Sequence, residues 1–225
     1  MVLAGKSQRP FIFVLAGVNG AGKSSVGGSR IRDYGLEWFN PDAYARLLMQ
    51  EQERALEEAN AAAWEHGRVS LAAAIAEKKN FAFETTLGAN TIPRMLREAS
   101  RTHDILMWFC GLSSPERHIE RVAARVARGG HAIPEQKIRE RWDGSRLNLI
   151  ELLPYLAHLQ VFDNSAEVVF GEPIPDPVLV LDVVKGRIVF PDPNDASTLA
   201  NTPRWAKQIV QAAIELDQVT GLADE

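Results

Sequence analysis

Phe11-Ile12-Phe13-Val14-Leu15-Ala16 leads directly into Gly17-Val18-Asn19-Gly20-Ala21-Gly22-Lys23-Ser24-Ser25. The opening run is apolar and β-prone, and too short for a good helix. It ends in G-x-x-x-x-G-K-S, and the residues that follow, 25–33, are compatible with a helix. Strand, glycine-rich loop and helix in that order make the context that a phosphate-binding loop requires. A glycine-rich turn that binds nothing is the competing reading, and the flanking strand and helix argue against it.

The residue types follow from the chemistry. Gly17, Gly20 and Gly22 open turns closed to residues with side chains, so successive N–H groups of Gly17–Ser25 can point at a polyphosphate beside a helix N-terminus. Lys23 supplies a point charge to the β- and γ-phosphates of a nucleotide such as ATP. Ser24 offers a hydroxyl to Mg²⁺, a hard cation that prefers oxygen ligands.

Size and composition are those of an ordinary globular chain. The 225 residues, 46% hydrophobic and 24% charged, suit a single domain spanning the chain. The net charge of −4 argues against broad nucleic-acid binding. The lone cysteine, Cys110, lies in the apolar run Ile105–Cys110 and reads as a buried structural thiol. The N-terminal ten residues lack an apolar signal core, and no stretch approaches the roughly 20 apolar residues of a membrane span, so the cytoplasm is the expected location.

Along the chain, Leu36–Phe39 reads as a short second strand ending at Asn40-Pro41-Asp42. Ligands of open α/β sheets collect beyond the carboxyl ends of strands, so a carboxylate there can face a γ-phosphate. Asp42 is either the N-cap of the next helix or a general base for an acceptor hydroxyl. Glu51–Lys79 is one long helix or two, without a chemically suggestive cluster. Phe81–Thr85 is a third strand with Glu84, Thr85 and Thr86 at its carboxyl end. Glu84 either binds the acceptor or is satisfied by loop amides. Thr91–Thr102 is predicted helical, Ile105–Cys110 is a fourth strand and Leu159–Phe162 a fifth, followed by Asp163-Asn164-Ser165, which either borders an adenine or is a turn. Val178–Asp182 resembles a Walker B strand, but Lys185-Gly186 turns straight into Arg187–Phe190, so a β-hairpin is expected and Asp182 is a decoy. A last helix is expected over Arg204–Leu216.

Ser114-Pro115-Glu116 opens a helix on which Arg117, Arg121, Arg125 and Arg128 recur at intervals of four, four and three, on one face. After Gly129-Gly130-His131, a second basic helix carries Arg139, Arg141 and Arg146. This stripe is either a solvated face or a mobile lid carrying guanidinium groups to a transferring phosphate.

The ordered set Gly17–Ser25, Asn40-Pro41-Asp42, Phe83-Glu84-Thr85-Thr86, Arg125–Pro134 and Asp163-Asn164-Ser165 resembles the zeta-toxin-like family of P-loop kinases. The resemblance implies an α/β P-loop kinase fold: a mainly parallel five-stranded sheet flanked by helices, with a core at about 8–166, a helical lid at about 114–150, and a C-terminal hairpin and helix at about 167–225. It implies ATP and Mg²⁺ as cofactors, a nucleotide sugar, UDP-N-acetylglucosamine, as the acceptor, and a small antitoxin as partner. In this picture Asp42 is the base. Lys23 and Ser24 hold nucleotide and metal, Asn164 borders the nucleotide, and Arg125 and Arg128 steady the transition state. Glu84, Thr86, His131 and Arg141 bind the acceptor. Where the family carries Asp-x-Phe-Arg this chain reads Asp42-Ala43-Tyr44-Ala45-Arg46, which makes Arg46 the matching substrate-binding candidate.

Two other functions fit parts of the pattern. A nucleotide-dependent switch would need Lys23 but not Asp42. A kinase of nucleic-acid ends would use the basic lid and bind oligonucleotides with steep salt dependence.

Overall fold

The computed structural model describes residues 9–23, 26–27, 38–167 and 175–223. Their centre is the apolar run with which the loop begins. Strand β1 (Phe11–Ala16) pairs in parallel with β2 (Phe81–Thr85) on one side and β3 (Asp104–Gly111) on the other. A strand flanked on both sides and covered on both faces must be apolar throughout, which explains why β1 runs without alternation. Beyond β3 comes parallel β4 (His158–Asp163), then antiparallel β5 (Val178–Val184) and β6 (Arg187–Phe190), in the order β2-β1-β3-β4-β5-β6.

The register brings the carboxyl ends together. Ala16 lies beside Thr85 and Phe109, and Gly111 beside Asp163, so the loops after all four parallel strands open on one edge. Of the expected second strand, 36–37 fall outside the described residues. Phe39 bridges in parallel to Phe83, accepting from Glu84 N at 2.9 Å and donating to Ala82 O at 2.8 Å. Asn40, Pro41 and Asp42 therefore reach the same edge.

Two expectations need correction. The hairpin turns at Lys185-Gly186 as expected, but it is no appendage: β5 pairs with β4 and extends a single sheet of six strands rather than five. The basic helices α4 (Pro115–Val126) and α5 (Glu135–Leu152) do not form a free lid either. Leu149 and Leu152 of α5 are buried in the main core, and Ile138 packs with Val18 and Val122. Between the two helices residues 127–129 are exposed, and a side chain added at Gly129 would meet nothing within 4 Å, while Ile133 packs back on the Val18, Val122 and Ile138 cluster.

The other helices among the described residues are α1 (Pro41–Gln52), α2 (Leu56–Glu77), α3 (Thr91–Ala99), α6 (Ala196–Ala200) and α7 (Lys207–Ala223), and the helix expected over 25–33 lies outside those residues except for 26–27. Glu51–Lys79 thus holds the end of one helix and the whole of a second. The C-terminal segment seals the core: Trp205, Ile209, Val210 and Ala213 are buried, and a Cβ on Gly111 would lie 2.2 Å from the Trp205 ring, so only glycine leaves room there. No described helix is long and apolar enough to cross a membrane.

Asp182 accepts from His158 Nε2 at 2.8 Å and Gln160 Nε2 at 2.7 Å, on the strand pair away from the loop. Burial pushes its carboxyl up, but these two hydrogen bonds outweigh burial and hold it below the ordinary range. Asp182→Ala is expected to cost about 1–3 kcal/mol in urea unfolding through the unmet donors His158 and Gln160. Unchanged stability would contradict this structural role.

Candidate functional site

The loop after β1 is held from outside by its own carbonyls. Gly17 and Gly22 have φ of 141° and 80°, a region closed to ordinary side chains. Space forbids side chains as well: a Cβ on Gly17 would stand 2.3 Å from Cys110 O, and one on Gly22 2.3 Å from Asn164 Nδ2. His118 Nδ1 donates to Asn19 O at 2.9 Å, and Asn164 Nδ2 donates to Ala21 O at 2.9 Å. Asn164 is in turn gripped by Arg121, which donates to its carbonyl at 2.7 Å and to Ala166 O at 3.1 Å.

His118 is buried and neutral. Burial, with smaller contributions from the charges of Lys23 and Arg121, pulls its imidazole down to about 4 against the hydrogen bond to Asn19. Burial also drives the Cys110 thiol up to about 12, which leaves it inert as a nucleophile.

Lys23 Nζ donates to Gly17 O at 2.8 Å and lies 3.3 Å from Glu84 Oε1, both side chains being almost fully buried. The other Glu84 oxygen accepts from Asn40 Nδ2 at 2.9 Å. Asn40 therefore joins β2 to α1, and it also caps that helix: its Oδ1 accepts from Ala43 N at 3.0 Å, with Pro41 at the first helical position. The capping alternative for Asp42 is thereby overturned. Asp42 lies in the first turn of α1, where the helix dipole favours its negative charge. Its Oδ2 lies 3.7 Å from Arg125 Nη1, and Arg125 also donates to His131 O at 3.4 Å.

Two cavities meet at the loop. The smaller, about 660 Å³, is lined by Asn19, Lys23, Asp42, Glu84, Thr86 and Arg141 among others, with Phe39, Trp64, Arg68 and Lys137 farther along its wall. The larger, about 1100 Å³, is lined by Gly20, Gly22, Arg121, Arg125, Arg128 and Asn164, and also by Arg46. Arg46 thus faces the loop-glycine side rather than the side of Glu84 and Thr86, where the sequence reading had grouped it. His131 borders both cavities.

The arginines divide accordingly. Arg125 and Arg128 turn toward the larger cavity. Arg141 reaches the loop, donating to Asn19 Oδ1 at 2.6 Å; burial lowers its guanidinium from the ordinary value, partly offset by the charge of Asp42. Arg139 pairs with Glu116 at 2.6 Å, and Arg146 stacks 3.5 Å over Trp142 and pairs with Asp143, so both lie outside the site. Ser24 and Ser25 lie outside the described residues. Sequence reasoning missed Asn40, His118 and Arg121 as loop and carboxylate holders. It also passed over Trp64, Arg68 and Lys137, whose spacing carries no motif.

No protein-family model matches the chain, and no curated protein matches it in sequence. Solved structures match its fold. Against the native AvrRxo1-ORF1:-ORF2 complex the TM-score is 0.59 at 14% identity, covering 92% of this chain and 71% of that one. Against AvrRxo1-ORF1:-ORF2 with ATP it is 0.56 at 15% identity, covering 80% and 60%. Against the PezAT chromosomal toxin-antitoxin system of Streptococcus pneumoniae it is 0.52 at 14% identity, covering 71% and 69%. The chain therefore shares an α/β fold with these proteins, and spans well short of the full length of each.

The His118 environment makes stability depend on pH. The unfolded chain takes up this proton near 6.5, whereas the folded protein resists it down to about 4, so the contribution is complete above 6.5 and is lost as pH falls toward 4. It amounts to about 3 kcal/mol. Urea unfolding at about pH 7 and about pH 4 should give a shallower pH dependence for His118→Phe than for the unaltered protein. Equal slopes would contradict the buried neutral imidazole.

Gly22→Ala should lower stability by about 1–3 kcal/mol in urea unfolding, because the methyl meets Asn164 and the backbone is closed to it. Unchanged stability would contradict this close fit.

Proposed function

We propose that the protein transfers the γ-phosphoryl group of ATP to a hydroxyl of a small acceptor, with UDP-N-acetylglucosamine the acceptor to test first. One observation carries the reading: Asp42 lines the smaller cavity, Arg125 lines the larger, and the two pair at 3.7 Å across the seam beside the loop. A carboxylate facing an acceptor on one side and a guanidinium facing phosphates on the other is the arrangement phosphoryl transfer uses.

In this reading the nucleotide occupies the larger cavity, with its phosphates against the loop amides. The cradle fits a polyphosphate: the loop carbonyls of Asn19 and Ala21 are taken by His118 and Asn164, and Lys23 stands beside them. Ser24, which follows Lys23 in the sequence, would offer its hydroxyl to Mg²⁺, with phosphate oxygens and water supplying the other ligands. When bound, Mg²⁺ neutralises charge developing on the phosphates. Lys23 exchanges its contact with Glu84 for phosphate oxygen. Asp42 takes the proton from the acceptor hydroxyl as its oxygen bonds to phosphorus and the bond to ADP breaks. Arg125 and Arg128 spread charge over the transferring group, and Glu84 and Thr86 orient the acceptor.

The smaller cavity supports a nucleotide-sugar acceptor. Its volume falls within the range of ordinary ligand pockets. Phe39 and the half-exposed Trp64 offer flat apolar walls to a base, and Arg68 and Lys137 offer cations to a diphosphate. A small protein partner that regulates the enzyme belongs to the same reading, since the PezAT neighbour is a toxin-antitoxin system.

The test is incubation with ATP, Mg²⁺ and UDP-N-acetylglucosamine, with products weighed by mass spectrometry. A sugar nucleotide heavier by one phosphate is expected, with Asp42→Asn slower by about 10²–10⁴-fold. Full activity in Asp42→Asn would overturn the role of the base. ATP turnover without a phosphorylated sugar would overturn the acceptor alone.

A further inference from the structure

Helix α5 turns one face to the chain that follows β2. Arg141, Gly144 and Asn148 recur at intervals of three and four, which places them on one side of the helix. Against them runs the backbone of 86–89. A Cβ on Gly144 would stand 2.7 Å from Gly88 O, and one on Gly88 would stand 2.7 Å from Arg141 Cγ. Helix and turn therefore meet backbone to backbone.

The turn does not hold itself. Leu87 has φ of 56°, a left-handed conformation that a bulky side chain keeps only when its surroundings enforce it. Its side chain is fully buried and its N–H donates to Thr85 Oγ1 at 3.1 Å. The remaining hold is Asn148, itself 7% exposed, whose Nδ2 donates to Leu87 O at 2.7 Å and to Ala89 O at 3.5 Å.

What is held there matters for the site. Thr86, Leu87, Gly88 and Ala89 form one wall of the smaller cavity, while Asn148 stands behind that wall and does not line it. The same helix face continues through Arg141 to Asn19 of the phosphate loop. One rigid stripe thus sets the distance between the acceptor wall and the phosphates.

We infer that Asn148 is a positioning residue for the acceptor: through Leu87 and Ala89 it fixes the 86–89 wall in register with Arg141 and the phosphate loop, and so governs acceptor recognition without touching acceptor or nucleotide. This rests on the reading of the smaller cavity as the acceptor site.

Two variants of the full chain test it. Asn148→Leu keeps the volume and removes the donor. Gly144→Ala improves helix propensity while pressing a methyl on Gly88 O, so its effect cannot come from a weakened helix. Each should raise KM for UDP-N-acetylglucosamine about tenfold or more, while KM for ATP stays within about twofold. Equal rises in both constants, or an unchanged acceptor KM, would overturn the inference. Hydrogen exchange supplies a readout that needs no acceptor: Asn148→Leu should speed amide exchange across 85–90 and leave 11–17 unchanged. Unaltered exchange at 85–90 overturns the inference, whereas an inactive unaltered protein with the expected exchange pattern sinks only the acceptor assignment.

Discussion

The hold on the carbonyls of the loop after β1 is the constraint on which the rest depends. A phosphate can be bound by main-chain N–H groups only if the carbonyls between them are satisfied elsewhere. Here His118 takes Asn19 O, Asn164 takes Ala21 O, and Lys23 folds back onto Gly17 O. Each hydrogen bond contributes about 1 kcal/mol, but their larger effect is to leave the loop few alternative shapes. The props come from α4 and from the end of β4, so the cradle is only as well formed as the sheet edge that gathers those elements.

Charge is arranged with the same economy. Lys23 and Glu84 neutralise each other in a buried place, and Asp42 and Arg125 do so at the seam of the cavities. A buried ion pair is stable only if its remaining hydrogen-bonding capacity is met, and Asn40 meets it for Glu84. Both pairs join a cation suited to phosphate with a carboxylate suited to a hydroxyl. An anionic ligand can therefore draw each cation away and leave its carboxylate facing the smaller cavity.

Much of this was legible in the chain because it is local. The apolar run and the glycines of the loop are contiguous, and the hairpin announces itself at Lys185-Gly186. That β5 continues the main sheet is a long-range pairing with β4, which no local pattern carries. Of Asn40-Pro41-Asp42, only Asp42 was weighed as the cap of the helix. The proline already favoured Asn40, since proline belongs at the first position after the cap. The arginine spacing holds on α4 for Arg117, Arg121 and Arg125, while Arg128 falls beyond its end, and no spacing separated Arg141, which reaches Asn19, from Arg139 and Arg146, which find Glu116, Asp143 and the Trp142 ring. Trp64, Arg68 and Lys137 escaped notice because a cavity wall draws residues from several elements at no fixed spacing.

The central claim is that a triphosphate lies on the loop in the larger cavity and ends within reach of Asp42. A crystal structure with Mg²⁺ and a non-hydrolysable ATP analogue tests it most directly. The account predicts the base beside Asn164, the terminal phosphate on Lys23 Nζ, and the Asp42 carboxylate facing that phosphate from the smaller cavity. An analogue seated in the smaller cavity, or a terminal phosphate with Asp42 turned away from it, would contradict the account.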